Sequence, residues 1–422
     1  MTDTERETTG VAQAVAMNSS FENVCVLGLG YIGLPTSAAL AARGFGIHGV
    51  EVNADVVETI NAGKTHIVEP ELDLLVRAAV ESGRLRAHME PAEADVFMIC
   101  VPTPINEDKT ANLQYVWDAA KNLAKYVKPG NLVLLESTSP PRTTERVAEI
   151  VLAESGLSAG DVHVAHAPER VLPGRILREV VENDRIVGGI DDASTEAAAA
   201  FYEKFVSGRI LTTTARTAEL AKLVENSFRD VNIAFANELS LLCDELEIDV
   251  WELIALANRH PRVDILSPGP GVGGHCLAVD PWFIVELAPD TARLIHTARQ
   301  VNELKPDWIV ERVRRKAERF KDPGIACLGL AYKPDVDDLR ESPAVDITRK
   351  LCSMDIGNVW GVDPFIHDHP DIPLRDLQNG VEGADIVLLL VGHRQFKRMP
   401  RQWLREKVVF DICGLFRNNE LD

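Results

Sequence analysis

The sequence lacks every cysteine arrangement that could organise a fold by itself. Its seven cysteines are scattered over 422 residues, with no Cys-x-x-Cys pair and no even, clustered framework. This spacing excludes a zinc ribbon and a disulfide scaffold, and it indicates a reducing compartment. The sequence also lacks an uncharged apolar run of roughly 18 residues, and residues 1–20 lack the basic start and apolar core of a signal peptide. We therefore expect a cytoplasmic protein in which residues 1–20 form a disordered tail.

Positive charge is the scarcer of the two signs. The chain has 44 Lys and Arg against 64 Asp and Glu, which gives a formal net charge of −20. The summed field of such a protein repels phosphate, and this argues against nucleic acid and anionic membranes as general partners. An anionic substrate would have to be bound by a local group of cations. The length and the hydrophobic content of 46% are those of a soluble protein of two or three domains.

Alternating strand and helix patterns indicate an α/β fold. Apolar runs predict strands within residues 22–30, 46–52, 95–101, 131–136, 162–165 and 185–188. From about residue 214 to residue 320 the pattern is mainly helical, with a Pro/Gly-rich loop at 261–281, and a second alternating unit begins at Gly324. We expect a Rossmann-type, doubly wound, mostly parallel sheet at residues 21–212, a helical central domain with a long helix at 213–320, and a second Rossmann-like α/β domain at 321–422.

A glycine-rich turn follows the first predicted strand. Its sequence is Gly28-Leu-Gly30-Tyr31-Ile32-Gly33. In a strand–turn–helix unit these glycines permit the tight turn, the approach of a pyrophosphate and the packing of the helix. Glu51 ends the next strand, where a carboxylate accepts hydrogen bonds from ribose hydroxyls, and no Arg or Lys follows at once to bind a 2′-phosphate. The motif predicts NAD rather than NADP, and the alternative is a glycine turn that binds no nucleotide.

Three later loops carry hydroxyl or charged side chains beyond strand ends. Thr103 and Thr138 follow two predicted strands in Pro-bounded loops, and Glu169-Arg170-Val171 follows a third. Ligands of open α/β sheets bind beyond the carboxyl ends of the strands, so these loops are candidates for cofactor or substrate contacts. Each is also compatible with a plain turn.

Polar side chains form a stripe on the long predicted helix. Lys222, Asn226, Arg229 and Asn237 lie close to one helical face and have no paired carboxylates there. Two amides and two cations in that arrangement suit a pocket that holds an anionic ligand. The alternative is an ordinary solvent-exposed face.

Cys276 is the cysteine whose setting differs from the others. It follows Gly271-Val-Gly-Gly-His275, whose glycines let the backbone crowd a ligand, so the thiol is presented rather than packed away. The other six lie in strand-like or helical sequence and are predicted to be small hydrophobic side chains: Cys25, Cys100, Cys243, Cys327, Cys352 and Cys413. His275 adjoins the thiol, but neighbouring residues seldom converge on one ion and no second pair has ligand spacing, so we predict no metal site.

Cations recur in two later loops. One is Arg259-His260-Pro-Arg262, and the other runs from Tyr332-Lys333 to Arg340, directly after a predicted strand of the last domain. Each loop alone is typical of a solvated surface. Together with Arg170 and Arg229 they predict local positive sites on an acidic protein, which suits a diphosphate ligand.

These blocks, in this order, resemble the UDP-glucose/GDP-mannose dehydrogenase family. They are the glycine fingerprint, Lys222-x-x-x-Asn226, Gly273-Gly-His-Cys276 with Asp280, and Gly329-Leu-Ala-Tyr-Lys333, and the resemblance covers about residues 22–417. It implies an NAD-dependent four-electron oxidation in which the C6 alcohol of a UDP-sugar becomes a carboxylate and two NAD are reduced. It also implies that Cys276 carries a thiohemiacetal and then a thioester, and that the product enters polysaccharide biosynthesis.

Three runs of sequence bear on the sugar. Residues 225–239, 258–262 and 268–276 are most similar to family members that oxidise UDP-N-acetyl-D-mannosamine to UDP-N-acetyl-D-mannosaminuronate. UDP-N-acetylglucosamine and UDP-glucose are alternatives, because one or two pocket contacts discriminate these sugars. A two-electron hydroxy-acid dehydrogenase and a non-catalytic nucleotide-sugar binding protein are alternatives of other classes. Neither has a use for Cys276 together with Lys222 and Asp280.

The resemblance implies roles for individual residues. Catalytic roles fall to Cys276 as nucleophile, Lys222 as acid/base, Asn226 as oxyanion stabiliser, Asp280 and Thr138 for the hydrolytic water, and Glu169 for proton transfer. Cofactor contacts fall to Gly28, Gly30, Tyr31, Ile32, Gly33, Glu51, Thr103, Thr138 and Arg340. UDP-sugar contacts fall to Arg170, Val171, Lys222, Asn226, Arg229, His260, Arg262, Gly273, Tyr332 and Lys333.

The resemblance also implies a homodimer or a higher homo-oligomer. Family members usually dimerise through the long central helix, and an arginine near His260 is expected to reach the partner's site. Two positions depart from the family pattern. Glu51 stands where many relatives have Asp, which lengthens the reach of the carboxylate, and Pro141-Arg142 replaces the more usual Val-Gly, which changes that loop.

Overall fold

A computed structural model describes residues 21–67, 69–172 and 174–416. The predicted tail at residues 1–20 lies outside them. The chain divides into two compact units. The first consists of the residues up to Pro102, Tyr115–Ser137 and Thr144–Ala218, and the second of Thr103–Gln114, Thr138–Thr143 and the chain from Glu219 onward. The domain boundaries after residues 212 and 320 stay predictions.

The described residues of the first unit contain an eight-stranded sheet in the order β3-β2-β1-β4-β5-β6-β7-β8. Its neighbouring strands pair in parallel, apart from β6 and β7, which are antiparallel. Strand order reverses between β1 and β4, the position where such sheets bind ligands. The strands are β1 (Asn23–Leu27), β2 (Gly46–Val50), β3 (Leu85–His88), β4 (Val96–Ile99), β5 (Leu132–Leu135), β6 (His163–His166), β7 (Arg185–Gly189) and β8 (Ile210–Thr214).

The central strands of this sheet are buried on both faces. All residues of β4 and β5 are buried, and both strands are continuous apolar runs, as parallel strands covered by helices require. On one side the core includes edge-to-face contacts of Phe201 with Phe45 and Phe205. The helices between the strands are α1 (Gly33–Ala42), α2 (Ala54–Asn61), α3 (Leu72–Glu81), α4 (Gln114–Ala124), α5 (Thr143–Ser155), α6 (Ile176–Glu182) and α7 (Asp192–Tyr202).

A long helix leads into the second unit. This helix, α8 (Ala215–Glu245), has 31 residues and is followed by α9 (Val250–Ala257), α10 (Asp280–Leu287) and α11 (Arg293–Ala317). Leu223 of α8 packs with Trp282, Phe283 and Ile284 of α10. Asp280 is the first residue of α10 and Pro281 lies in its first turn, where a proline does not disturb the helix. This packing fixes the start of α10 beside α8.

The described C-terminal part of the second unit is a smaller α/β layer. Its four-stranded parallel sheet has the order β10-β9-β11-β12. The strands are β9 (Gly324–Leu328), β10 (Asn358–Val362), β11 (Ile386–Leu389) and β12 (Val408–Asp411), and the helices are α12 (Pro343–Cys352), α13 (Leu377–Glu382), α14 (Arg394–Lys397) and a 3₁₀ helix at Arg401–Leu404. None of the described helices has the length and apolar content that a membrane span requires.

The predicted fold class is confirmed. The structure has a large, mainly parallel sheet, a helical middle with a long helix, and a second parallel sheet. Sequence patterns missed β3, β8 and α10, because β3 is short and carries Arg86 and His88, and β8 is a largely exposed edge strand. Of the cysteines in strand-like sequence, Cys100 lies one residue beyond β4 and Cys413 two residues beyond β12, since these strands end at Ile99 and Asp411.

Candidate active site

The loop that leads to Cys276 is shaped by the close approach of two glycines to the C-terminal α/β layer. Gly274 has a φ of +85°, and a Cβ there would lie 2.9 Å from the ring of Tyr332. A Cβ on Gly273 would lie 2.5 Å from the carbonyl oxygen of Glu341. The Gly274 N–H donates to the carbonyl of Arg340 at 3.1 Å. The predicted substrate residues Gly273 and Tyr332 are thus neighbours, and any larger residue at these glycines would displace the loop.

Cys276 and Asp280 are joined by the backbone turn that starts α10. The carbonyl of Cys276 accepts the N–H of Asp280 at 2.8 Å. Cys276 is half-buried and Asp280 is buried. Asn226, one turn after Lys222 on α8, is also buried, and its Nδ2 donates to Oδ2 of Asp280. Four residues predicted to be catalytic therefore come from two elements of the second unit: Lys222 and Asn226 on α8, and Cys276 and Asp280 at the start of α10.

Asp280 and Cys276 have strongly shifted pKa values. Burial raises the pKa of the Asp280 carboxyl to about 6, against the Asn226 hydrogen bond and the Lys222 charge. Burial also raises the pKa of the Cys276 thiol to about 11; the Asp280 charge adds to this rise, and Lys222, Arg340 and Arg229 oppose it. Cys276 is therefore a thiol at neutral pH and needs a base to become a nucleophile, while Asp280 titrates close to neutrality.

Cations gather around the same loop. Burial lowers the pKa of His275, and the charges of Arg340, Lys333 and Lys222 lower it further, against Asp338. Arg340 is paired with Asp338, with Nη2 at 2.6 Å from Oδ2. The positively charged setting thus favours the neutral form of His275. Among the described residues no group of three or more His, Cys, Asp or Glu side chains could hold a metal ion.

A pocket of about 170 Å³ lies against the loop that follows β9. Tyr332 and Lys333, both predicted to contact the UDP-sugar, contribute to it, with Nζ of Lys333 5.5 Å from the centre of the Tyr332 ring. Its lining includes Pro270, Gly271, Tyr332, Lys333, Gly392 and Cys413. The pocket offers an aromatic face and a cation, which suit a base and a phosphate.

Three residues of the predicted cation and amide groups lie elsewhere. Asn237 is fully buried; its Nδ2 donates to Oδ1 of Asn302 and its Oδ1 accepts the Gly269 N–H, both at 2.9 Å. The prediction that Asn237 lines the same pocket as Asn226 was wrong, because eleven residues of helix separate them by about 16 Å along the axis. His260 and Arg262 lie in an exposed loop after α9, where the Arg262 N–H donates to Nδ1 of His260 at 3.3 Å.

The glycine turn of the first unit has the form that a dinucleotide requires. Gly28 has a φ of +91°, and a Cβ there would lie 2.7 Å from the carbonyl oxygen of Cys100, while a Cβ on Gly33 would overlap the Gly28 carbonyl. A Cβ on Gly30 would meet no described atom within 4 Å, so open space remains where a pyrophosphate approaches. Ile32 is the N-cap of α1 and has no polar side chain to occupy the helix terminus. Tyr31 beside it is partly exposed.

Glu51 completes this turn. Its Oε2 accepts the Leu29 N–H at 3.2 Å, and its Oε1 accepts the N–H groups of Val52 at 2.9 Å and Asn53 at 3.2 Å. The carboxylate is therefore fixed beside the glycine turn and half-exposed, which suits bonds to ribose hydroxyls. These residues fit a bound NAD. Thr103 and Thr138 follow β4 and β5, are half-buried, and belong by their contacts to the second unit.

Glu169 lies in a buried ion network of the first unit. Its Oε2 is 2.7 Å from Nη1 of Arg185, and its Oε1 accepts the Arg170 N–H at 2.7 Å. Oε1 of Glu136 accepts the Tyr202 hydroxyl at 2.6 Å and lies 3.8 Å from the same guanidinium. Sequence patterns missed Arg185 and Glu136; an arginine that opens an apolar strand was the available signal. Arg170 bonds the Asp184 carbonyl, and Val171 packs against the core.

Comparisons with known proteins agree with this arrangement. Models of the UDP-glucose/GDP-mannose dehydrogenase family match residues 22–206 (NAD binding domain), 216–304 (central domain) and 326–418 (UDP binding domain). The chain is 52% identical to an NDP-N-acetyl-D-galactosaminuronic acid dehydrogenase of Ralstonia nicotianae over 95% of this chain and 98% of that one. It is 53% identical to a UDP-N-acetyl-D-mannosamine dehydrogenase of Campylobacter jejuni over 90% and 97%.

A solved structure has the same fold. The UDP-N-acetyl-mannosamine dehydrogenase of Staphylococcus aureus superposes with a TM-score of 0.87 at 40% identity, covering 94% of this chain and 96% of that one. The family assignment rests on three agreeing observations. These are the three family matches, the two α/β layers and the glycine turn that fits NAD. The chain belongs to the UDP-glucose/GDP-mannose dehydrogenase family and is an NAD-dependent UDP-sugar dehydrogenase.

Proposed function

We propose that the protein oxidises the C6 alcohol of UDP-N-acetyl-D-mannosamine to a carboxylate in two steps, through a thioester on Cys276. The observation that carries this proposal is the grouping of the Cys276 thiol with Lys222, Asn226 and Asp280 in the second unit. A dehydrogenase that stopped at an aldehyde would need no thiol. A site that continues to the acid needs a nucleophile that can hold the aldehyde and then leave.

The first oxidation needs a base and a cation near C6. Bound NAD supplies the hydride acceptor for both oxidations, one molecule for each. Lys222 is half-buried and acts electrostatically on both Cys276 and Asp280, so its ammonium group can stabilise the developing alkoxide. The alcohol loses its proton to Asp280, which passes it to solvent, and with the loss of a hydride it becomes an aldehyde.

The thiol then adds to that aldehyde. With a pKa of about 11, the thiolate fraction of Cys276 at pH 8 is on the order of one in a thousand. The proton must therefore leave as the sulfur–carbon bond forms, and Asp280, whose carboxyl titrates near pH 6, is the base that we assign to this step. Lys222 and the Asn226 amide stabilise the oxyanion of the thiohemiacetal. Loss of a second hydride from the carbon of this oxyanion re-forms the carbonyl and leaves a thioester.

Hydrolysis completes the reaction. Water, deprotonated by Asp280 with help from Thr138, attacks the thioester carbonyl, the carbon–sulfur bond breaks and Cys276 regains its proton. The overall change converts one alcohol, two NAD and one water into one carboxylate and two NADH, with release of protons. Glu169 keeps its proposed part in proton transfer, but its ion pair with Arg185 gives it a structural role as well.

The sugar is proposed from the relatives. Several of them at about half identity are named UDP-N-acetyl-D-mannosamine dehydrogenases, and the S. aureus structure carries the same name. The N-acetyl-D-galactosaminuronic acid enzymes, at 52% identity, support UDP-N-acetyl-D-galactosamine as a second candidate. Both candidates carry a 2-acetamido group, so we expect the site to require it and to reject UDP-glucose.

A homodimer through α8 is part of the proposal. The helix leaves one apolar stripe exposed at spacings of four and seven residues, consisting of Leu220, Val224, Phe228, Phe235 and Leu242. An exposed apolar stripe of this kind is typical of a helix that packs on another chain.

All seven cysteines are described and free, which supports a reducing, cytoplasmic compartment.

The proposal is tested by stoichiometry and by a substrate panel. Purified protein with limiting UDP-N-acetyl-D-mannosamine and excess NAD should form two NADH per sugar, with a mass gain that corresponds to a carboxylate. One NADH per sugar would contradict the thioester mechanism. Comparison of kcat/KM for the UDP forms of N-acetylmannosamine, N-acetylgalactosamine, N-acetylglucosamine and glucose then identifies the sugar, and a preference for UDP-glucose would contradict the proposed substrate.

A further inference from the structure

We infer that His393 is a positioning residue for the Tyr332 loop, defined as residues 331–341 between β9 and α12. This inference rests on the proposed function, because the loop carries Tyr332, Lys333 and Arg340, which the family resemblance predicts to contact the UDP-sugar and the cofactor. His393 follows β11, lies outside the Cys276 site and has no part in the steps above. Its ring contacts the loop through the backbone N–H of Asp335.

The imidazole of His393 is fully buried between the loop and the end of β10. Its Nδ1 accepts the backbone N–H of Asp335 at 3.0 Å, and its Nε2 lies 3.2 Å from Oδ2 of Asp363. Phe396 packs edge-to-face on the ring at 5.2 Å between centroids, and Phe365 lies at 5.5 Å. Because Nδ1 accepts from a backbone donor, the ring proton is on Nε2; Oδ2 of Asp363 is the near acceptor, but the N–H is not aimed at it closely enough to form a hydrogen bond.

Asp363 is the counterpart, in this α/β layer, of Glu51 in the first. Gly329 has a φ of +91° and donates its N–H to the last residue of β10, as Gly28 does to the last residue of β2. Oδ2 of Asp363 accepts the N–H groups of Leu330 at 2.7 Å and Ala331 at 3.2 Å. Glu51 keeps a half-exposed carboxylate, whereas the Asp363 side chain is buried beneath His393. The carboxylate that faces a ribose in a dinucleotide site here faces an imidazole.

Asp335, whose N–H donates to His393, has an unfavourable backbone conformation. Its φ is +62°, in the left-handed region that non-glycine residues seldom adopt. Its Oδ1 accepts the Arg394 N–H at 3.0 Å, and its Oδ2 lies 2.9 Å from Nε of Arg394. The His393–Asp335 bond and these two contacts stabilise the turn that a side chain at this position would otherwise disfavour.

The Tyr332 loop, which His393 holds at Asp335, contacts the loop that leads to Cys276. Tyr332, the second residue of the loop, forms the surface on which Gly274 packs, and near the end of the loop the Arg340 carbonyl accepts the Gly274 N–H. Arg340 and Lys333 act electrostatically on His275, and Arg340 also acts on Cys276. Loss of the hydrogen bond between His393 and the Asp335 N–H should therefore increase the mobility of Tyr332 and Lys333, and so weaken the pocket that they line.

Two isosteric substitutions separate the two contacts of the ring. In His393→Asn the amide oxygen takes the place of Nδ1 and can accept the Asp335 N–H, whereas in His393→Gln the amide nitrogen reaches the place of Nε2 and donates to Asp363. His393→Ala removes both contacts. His369→Ala is the matched control, because Nδ1 of His369 also accepts a backbone N–H, that of Asp371 at 3.1 Å, within its own segment after β10 rather than from the loop.

The readouts are the Kd of UDP by calorimetry, the KM values for UDP-sugar and NAD, kcat, and the melting temperature of the full chain. We expect His393→Gln and His393→Ala to weaken UDP binding and to raise the KM for UDP-sugar about tenfold, with kcat and the KM for NAD nearly unchanged. His393→Asn and His369→Ala should bind UDP almost as the wild type does. Rescue by Asn and not by Gln is a pattern that a general loss of stability does not produce.

Equal UDP affinity in the Asn and Gln variants, at whatever level, would overturn the inference. So would a fall in melting temperature of His393→Ala without a change in UDP affinity. A wild-type protein that binds UDP tightly while all variants do the same leaves the proposed function intact and removes only the role of His393. A wild-type protein that binds no UDP contradicts the proposed function itself, and the inference with it.

Discussion

Nδ2 of Asn226 donates a hydrogen bond to Oδ2 of Asp280, although the two residues are 54 positions apart. The bond joins the long helix α8 to the first residue of α10, next to the only described cysteine in a glycine-rich loop. It fixes one oxygen of a buried carboxylate and orients the other. The Asn226 amide and the Asp280 carboxylate are thus held together close to Cys276. The predictions on the chemistry depend on this hydrogen bond.

Cys276→Ser should stop the reaction before the acid is released. The serine alkoxide leaves less readily than a thiolate, so the variant should stall after partial oxidation or retain the sugar as an ester. Intact-protein mass spectrometry and NADH yield distinguish these outcomes. Cys352→Ser, at the half-buried end of α12, is the control and should turn over normally. Unchanged turnover of Cys276→Ser would refute the role of the thiol.

Asp280→Asn should lower activity and raise stability at the same time. The folded pKa of about 6 lies above the usual 3.8, so the carboxyl's contribution to stability is present at low pH and is lost as the pH rises through 6. The variant should gain at most ~3 kcal/mol over the wild type at pH 8. Its kcat should fall by roughly a hundredfold or more, and it should lack the acid limb near pH 6 that the wild type shows.

The control for Asp280→Asn is Asp290→Asn, an exposed carboxylate after α10. It should change neither the pH–rate profile nor the stability. If Asp280→Asn keeps the acid limb near pH 6, another group is the base.

Arg185→Met should strongly destabilise the first unit. Glu169 and Glu136 would remain buried without their cation, and removal of one partner of a buried pair costs about 3–5 kcal/mol. The loss in free energy of unfolding should be smaller at acid pH, because the two carboxylates then take up protons. Urea denaturation of the full chain measures it. Arg178→Met removes an exposed pair with Glu182 and should cost less than about 1 kcal/mol; equal effects of the two substitutions would contradict the network.

Phe235→Glu should dissociate the proposed dimer. The side chain is 51% exposed on the apolar stripe of α8, and a buried, unpaired charge there would oppose helix pairing. Sedimentation velocity should show a shift from dimer to monomer. Leu294→Glu on α11 is the control, since this residue is 70% exposed but lies off the stripe. Dissociation by both variants, or by neither, would argue against α8 as the interface.

The parts of the site that lie within one local motif were predictable from the sequence. The glycine turn with Glu51 is a strand–turn–helix pattern, and Lys222 and Asn226 share a helical face at adjacent turns. The glycines around Cys276 indicated a close approach, which the structure provides through Tyr332. In each case the geometry follows from the spacing along the chain.

Long-range partners were not predictable in this way. Nothing in the spacing links Glu169 to Arg185, or Asp363 to His393, because these pairs arise from strand order in the folded sheets. Asn237 shows the limit of helical periodicity, which specifies a face but not the element packed against it. The raised pKa of the Cys276 thiol has the same origin, since burial depends on tertiary packing.

That raised pKa has a consequence for the lifetime of the enzyme. Peroxide and alkylating metabolites react with thiolates and hardly with thiols, so reactivity follows the ionised fraction. Cys276 is half-exposed to such reagents but rests in its unreactive form. In the proposed mechanism its nucleophilicity arises only when a base and an aldehyde are in place, so between turnovers the residue proposed to carry the second oxidation should be spared from oxidative damage.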